Sequence, residues 1–297
     1  MLRKRNAVVA LVVWTGLAAA SAFAQGPPPP SFPPQQLDQL VARIALYPDP
    51  LLAQVMAAAT YPNDIPPAAQ WADEHHYLTG QALANAIQGD QLPWDPSVQA
   101  LLPFPSVLDM MNSDMRWTTD LGNAFLAQQQ DVMDAVQRQR AIAQRYGYLR
   151  SNGQILVSGG PYITIAPVNP GYVVVPYYDP AVVFFAPRPG FFVGGGIRFG
   201  FGVSIGGFFA PWGWGGVRFD WGGHGVFLNG ARWDRRWDNR AVYVHPYPGI
   251  RRPGPGFVRP AEPHRLEPRS APERSAPREG RAAPREAHRG GERGERR

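Results

Sequence analysis

Residues 45–62 read A-L-Y-P-D-P-L-L-A-Q-V-M-A-A-A-T-Y-P, and no other stretch restricts the fold as tightly. From Leu51 to Ala59 only Gln54 is polar, so a helix here offers no face to water. Asp49 stands where an N-terminal cap belongs, and Pro50 at the first helical position, where a missing N–H is harmless. The run is far shorter than the roughly 20 apolar residues a bilayer requires. It is expected as the central rod of a helical core, with amphipathic neighbours wrapped around it.

Those neighbours are legible on both sides. Leu37, Leu40, Val41 and Ile44 make one apolar face before the rod. After it, Pro66-Pro67 opens a helix through Trp71 to about Tyr77, and 79–88 reads as another closed by Gly89. Asp95-Pro96 repeats the device of Asp49-Pro50 and starts a helix to Leu102, followed by a short one at 106–111. The longest runs over 118–146 with Leu121, Phe125, Val132, Val136, Ile142 and Tyr146 on one side, ended by Gly147. Gln128, Gln129 and Gln130 interrupt that stripe, which argues against a coiled coil.

The period then changes from 3.6 to 2. Segments 154–157, 162–165, 172–177 and 182–185 read as strands separated by Gly, Pro, Asn and Asp, which implies an antiparallel meander. Residues 190–230 differ again: 15 of 41 are Gly and 11 are Phe or Trp, so side chains are either absent or very large. Within them Ile197, Phe199, Phe201, Val203 and Ile205 alternate with small or polar residues, placing every large apolar group on one strand face. Such a face either extends the preceding sheet over the helices, or contacts a membrane or a second copy. The sequences Arg232-Trp233-Asp234 and Arg236-Trp237-Asp238 form a four-residue repeat.

The ends carry the address. Arg3, Lys4 and Arg5 precede an apolar run over 7–20, and Ala22-Phe23-Ala24 before Gln25 fits a small-x-small cleavage site. The expectation is a secretory signal peptide over 1–24, cut between Ala24 and Gln25, then a Pro-rich linker over 25–36. The chain has no cysteine, which rules out disulfides and thiolate metal sites. The formal charge of +6 is uneven, since 251–297 holds 13 Arg and 7 Glu, a net +6. Residues 25–250 hold 13 basic and 16 acidic side chains, a net −3. A tail rich in Arg, Pro and Glu buries too little apolar surface to order itself, so it is expected disordered. Outside the cytoplasm its cations, beginning with Arg251 and Arg252, meet lipid head groups or wall glycan more readily than nucleic acid.

Several separated motifs occur together. They are I-A-L-Y-P-D-P-L-L-A-Q-V (44–55), A-A-T-Y-P (58–62), W-D-P-S-V-Q-A-L (94–101), L-G-N-A-F (121–125) and Q-Q-D-V-M-D-A-V-Q (129–137). A Y-x-V-V-P-x-Y-D-P-like segment ends at Pro180. Over about 35–185 the chain resembles a bacterial exported family, domain of unknown function 3300. The resemblance implies an envelope protein and lends no site residues. Arg43 departs from the family pattern, where proline precedes I-A-L-Y-P.

Candidate chemistry is thin. Gly202-Val203-Ser204-Ile205-Gly206 matches a G-x-S-x-G elbow with Asp220 and His224 or His245 downstream. Its serine nevertheless lies in a period-2 run, and Gly206-Gly207 begins no good helix. Asp73-Glu74-His75-His76 lacks the i, i+4 spacing of a helical metal pair. Gly194–Gly196 and Gly200 precede a strand pattern rather than a phosphate-binding helix start. Asp49, Asp95 and Asp179, each before Pro, read as caps and turn formers; Trp71, Trp94 and Trp117 read as core.

The sequence thus describes an α+β protein. A helical domain (37–147) is followed by a small antiparallel sheet (154–185), a Gly/aromatic β-prone section (190–245) and a basic tail (251–297). The expected role is a non-enzymatic binding or scaffolding protein of the cell envelope, periplasmic or associated with the outer membrane or cell surface. Its contacts would come from Ile197, Phe199, Phe201, Val203, Ile205, Arg251 and Arg252. Partners would be anionic envelope surfaces or a second copy, with no cofactor. The alternative is a hydrolase of cell-wall glycan or peptide using carboxylates such as Asp73, Glu74 or Asp95.

Overall fold

The computed structural model describes residues 28–187 and 196–240. They belong to the first of two units in the chain, Met1–Tyr247; the second is Pro248–Arg297. Ala24, Gln25, Arg251 and Arg252, with the expected leader and tail, lie outside the described residues.

Eight helices come first: α1 (Pro34–Val41), α2 (Asp49–Ala59), α3 (Ile65–Glu74), α4 (Gly80–Asp90), α5 (Pro96–Gln99), α6 (Pro105–Ser113), α7 (Met115–Ala127) and α8 (Gln129–Arg145). Helix α2 is the rod, and every residue from Leu51 to Ala59 is buried, Gln54 included. Helices α5 and α7 pack on it, as do strands described below. Helix α7 approaches closely because residue 122 is glycine: a Cβ there would collide with the Ala59 backbone. Sealing such a rod is worth about 2–5 kcal/mol for each large aliphatic side chain, judged by truncation to alanine.

Four local expectations are corrected. Asp49 does not cap α2, for its carboxylate is bonded elsewhere. The expected long helix is two, broken at Gln128 (φ −139°, ψ 47°), whose amide instead clasps the Phe32 backbone on both sides. Helix α4 runs past Gly89 to Asp90, where the Trp71 indole N–H bonds the Asp90 carboxylate at 2.8 Å; Gln91 takes the left-handed position. The linker is shorter than expected, since Pro34 already begins α1.

The remainder consists of small antiparallel pairings. Strands β1 (Ile155–Ser158) and β2 (Thr164–Pro167) form a hairpin against α2. Strands β3 (Tyr172–Val173) and β4 (Pro176–Tyr178) follow, then a one-turn helix α9 (Pro180–Val183). Here a strand was expected over 182–185. Asp179 accepts from the Ala181 N–H at 2.8 Å and Pro180 holds the first helical position, and this cap overrides the β-branched run. Instead of continuing a meander, β4 pairs with β5 (Ile197–Phe199) and β3 with β6 (Val203–Ser204). A six-residue 3₁₀ helix, Gly207–Trp212, leads to a three-stranded sheet of β7 (Arg218–Asp220), β8 (Gly225–Leu228) and β9 (Ala231–Arg232).

The described part of the Gly/aromatic section, 196–240, is therefore part of the core. Strands β7 and β8 pack on α2, and Ile205, Phe209, Trp221, Val226 and Trp233 are buried in one cluster with the helices. Trp233 stacks on Phe125 of α7 with ring centroids 4.8 Å apart. Arg235 pairs with Asp95 at 2.9 Å while lying over the Tyr61 ring. Trp233 of the first Arg-Trp-Asp triplet and Arg235 between the two thus clamp the last strand to the helices.

Candidate functional site

The joint between helices and strands is built on Arg140 of α8, whose side chain is wholly buried. Its Nη1 donates to Asp49 Oδ1 at 2.7 Å and to the Ile163 carbonyl at 2.9 Å. Its Nε donates to the Ala45 carbonyl at 2.8 Å, and Nη2 to that of Tyr47 at 3.0 Å. The guanidinium lies 4.9 Å from the Trp221 ring centroid, and the Trp221 indole donates to Asp49 Oδ2 at 3.1 Å. The charge of each partner is spent on the other and on fixed dipoles, which is what a buried pair requires. The cluster is a fastening rather than a reactive centre. Sequence reading missed it because its members are spread from 45 to 221.

The residues singled out for surface contact divide. Ile197, Phe199 and Val203 are half-buried and Ile205 is buried, whereas Phe201 is 100% exposed. The pairing explains the split. Val173 stands opposite Val203 and Pro176 opposite Phe199, so Val174 and Val175 face three residues, Gly200, Phe201 and Gly202. One extra residue makes a bulge, and the bulge turns Phe201 out of the common face. A Cβ at Gly200 would crowd the Tyr177 ring, and one at Gly202 would touch Tyr172, so two further exposed aromatics flank the bulge.

The other motifs resolve locally. Ser204 sits in β6 opposite Tyr172, and Gly206 (φ +44°) leads into a 3₁₀ helix. Asp220 accepts from the Gly223 N–H, and His224 Nε2 lies 3.0 Å from Asp134 of α8, so Asp220 and His224 form no triad with Ser204; His245 lies outside the described residues. His75 stacks on Trp71 at 3.9 Å, and both His75 and His76 bond backbone carbonyls. Among the described residues no three His, Cys, Asp or Glu are grouped to hold a metal ion. Trp71, Trp94 and Trp117 are core. Asp95 and Asp179 cap α5 and α9. Burial pushes the Asp95 carboxyl up, against the pull of its Ser97 hydrogen bonds.

A feature not foreseen links two family-like stretches. Tyr47-Pro48-Asp49-Pro50 and Tyr177-Tyr178-Asp179-Pro180 share the pattern Y-x-D-P, and their tyrosines meet at a cleft of about 360 Å³ with Arg43 and Ser106. The repeat was the available signal. Tyr178 accepts from the Leu46 N–H at 3.2 Å, and Tyr177 donates to Ser106 Oγ at 3.0 Å. Burial raises the Tyr47 phenol, Tyr177 adding to it, and raises that of Tyr178 well above its usual range. Arg43, the departure from the family pattern, pairs with Asp114 at 3.0 Å and lies over Trp117. These bonds make the cleft a packing seam between the α1–α2 connection, α6 and β4.

The model of a family described as "Protein of unknown function (DUF3300)" matches residues 33–187. The chain belongs to this family. "Uncharacterized protein YacH" of Escherichia coli (strain K12) is 38% identical over 187 residues, covering 52% of this chain and 30% of YacH. The chain thus spans under a third of that relative's length. No solved structure matches. The DUF3300 match includes Asp49, Arg140 and both Y-x-D-P stretches, but stops before Trp221 and Phe201. The family segment is therefore completed in this chain by strands beyond its boundary.

Proposed function

We propose that the protein is an exported, non-catalytic binding or scaffolding protein of the bacterial envelope. It would hold a surface through the aromatic edge at Phe201 and an anionic one through the arginine tail. The observation that carries this reading is Phe201 itself, fully exposed on a Gly-Phe-Gly bulge between the exposed rings of Tyr172 and Tyr177. An aromatic left in water beside others marks a contact surface. No helix among the described residues is long and apolar enough to cross a membrane. The leader before Gln25 and the net +6 of 251–297 supply the address and the electrostatic half. The hydrolase alternative draws no comparable support. Glycoside hydrolysis by a carboxyl pair needs two groups across one cleft. Asp73, Glu74 and Asp95 line none of the four clefts described among these residues.

Sequential extraction of envelope fractions by osmotic shock, high salt and detergent tests the proposal. Wild type is expected to resist shock, and a chain lacking residues 251–297 to lose the salt-sensitive part of its attachment, since exposed charges are screened. Phe201→Ser is expected to shift release from detergent to salt. Complete release of wild type by osmotic shock would overturn the reading.

A further inference from the structure

A cleft of about 470 Å³ lies between α4 and the 3₁₀ helix Gly207–Trp212, well within the size of small-ligand sites. Helix α4 places Gln81 and Gln88 along it about two turns apart, Gln91 follows at the helix's C-terminal end, and Ala84 and Ile87 line the cleft beside them. The 3₁₀ helix contributes Phe208 and Trp212. No ionisable side chain lines the cleft.

Gln81 donates to Asn85 Oδ1 at 2.8 Å, and the other polar groups there are unspent. Gln88 and Gln91 are exposed and make no side-chain hydrogen bond among the described residues. The Trp212 indole N–H has no partner among them either. Gln99 is 9% exposed; its amide N–H groups are fixed on the Leu92 and Trp94 carbonyls, at 3.0 and 2.7 Å, which leaves its oxygen as a held acceptor. Gln91 itself occupies a left-handed conformation (φ 47°, ψ 50°) that glycine would adopt without strain.

We infer that this cleft is a binding site for an uncharged saccharide. A carboxamide both donates and accepts, as each sugar hydroxyl does, and two aromatic rings suit the C–H face of a pyranose. A phosphate, a nucleotide, an acidic glycan or a metal ion would find no countercharge. The site is distinct from the Phe201 edge, and binding in solution does not depend on where the protein resides.

The test is calorimetric titration of the purified full chain with chitotetraose and with maltotetraose, alongside saturation-transfer NMR. At least one is expected to bind, with an affinity unchanged between low and high salt because no charge is involved. Trp212→Ala should weaken binding at least about tenfold. Because Trp212 also packs on Phe209, exposed Gln88→Ala and Gln91→Gly serve as second variants. Both should weaken binding severalfold without lowering Tm, and Phe201→Ser should leave it unchanged. Absence of binding at about 10 mM saccharide overturns the inference. So does binding that is lost when residues 251–297 are removed, which would place the sugar on the arginine tail, or Gln88 and Gln91 variants that bind as wild type.

Discussion

Phe209 and Phe201 come from the same glycine-rich stretch, yet one is fully buried and the other fully exposed. Phe209 rides on the 3₁₀ helix that covers α4 and α5, packed edge-on against Phe208 and tilted against Trp212. Phe201 sits on the bulge, where an extra residue breaks the pairing of β3 and β4 with β6 and β5. Composition is the same at both places. What differs is whether the backbone holds a surface for the ring to meet. Glycine serves both ends, by permitting the turns at Gly206 (φ +44°) and Gly213 (φ +102°) and by leaving Phe201 alone on its bulge.

The buried side of this comparison is tested most severely at its fastening. Asp49→Ala strands the wholly buried Arg140 guanidinium, and Arg140→Ala leaves the Asp49 carboxylate without its countercharge. Each is expected to destabilise the protein by about 3–5 kcal/mol in urea unfolding. Phe209→Ala should follow at about 3–5 kcal/mol, within a single cooperative transition. Two separated transitions in wild type would break the comparison, since the aromatic section would then be an appendage rather than core. Gly122→Ala tests the rod from the opposite side, at about 1–3 kcal/mol or more, by forcing α7 off the Ala59 backbone.

These residues also show what was legible. The rod, its Pro50 start and the order of helices before small antiparallel strands follow from patterns within a few residues, and the structure has them. The caps at Asp95 and Asp179 were equally local. Asp49 looked the same in sequence and is different in space, because Arg140 and Trp221 reach it from 91 and 172 residues away. The Phe201 alternation failed for a related reason. Period 2 fixes sidedness only while register holds, and register depended on the partner strand. Of the glutamine cleft, α4 carried the helical spacing, but nothing local tied it to Phe208 and Trp212.

A smaller effect sharpens the buried side through titration. The phenols of Tyr47 and Tyr178 are raised in the folded protein. Below the ordinary tyrosine pKa of about 10 both are protonated in either state, and their contribution to stability is fully present. Above it the unfolded chain releases protons that the native protein keeps. Stability should then fall by about 1.4 kcal/mol per pH unit for each phenol. Urea unfolding from about pH 9 to 12 reads this slope. Tyr47→Phe should remove one phenol's share, and an unchanged slope would mean that Tyr47 is not held neutral by the fold.

The smallest effect on stability belongs to Phe201→Ser, and its smallness is the point. A ring with no packed neighbours contributes little to the fold, so the change should lie within about 0.5 kcal/mol of zero. The bulge is set by chain register rather than by the ring, so circular dichroism and Tm should be those of wild type. Retention in the envelope fraction, or self-association in sedimentation velocity, should nevertheless decline. If Phe201→Ser instead destabilised the protein as Phe209→Ala does, the ring would be packed and the contrast between the two would collapse. If it changed neither stability nor association, Phe201 would be exposed without consequence, and the aromatic edge would lose its place in the proposed function.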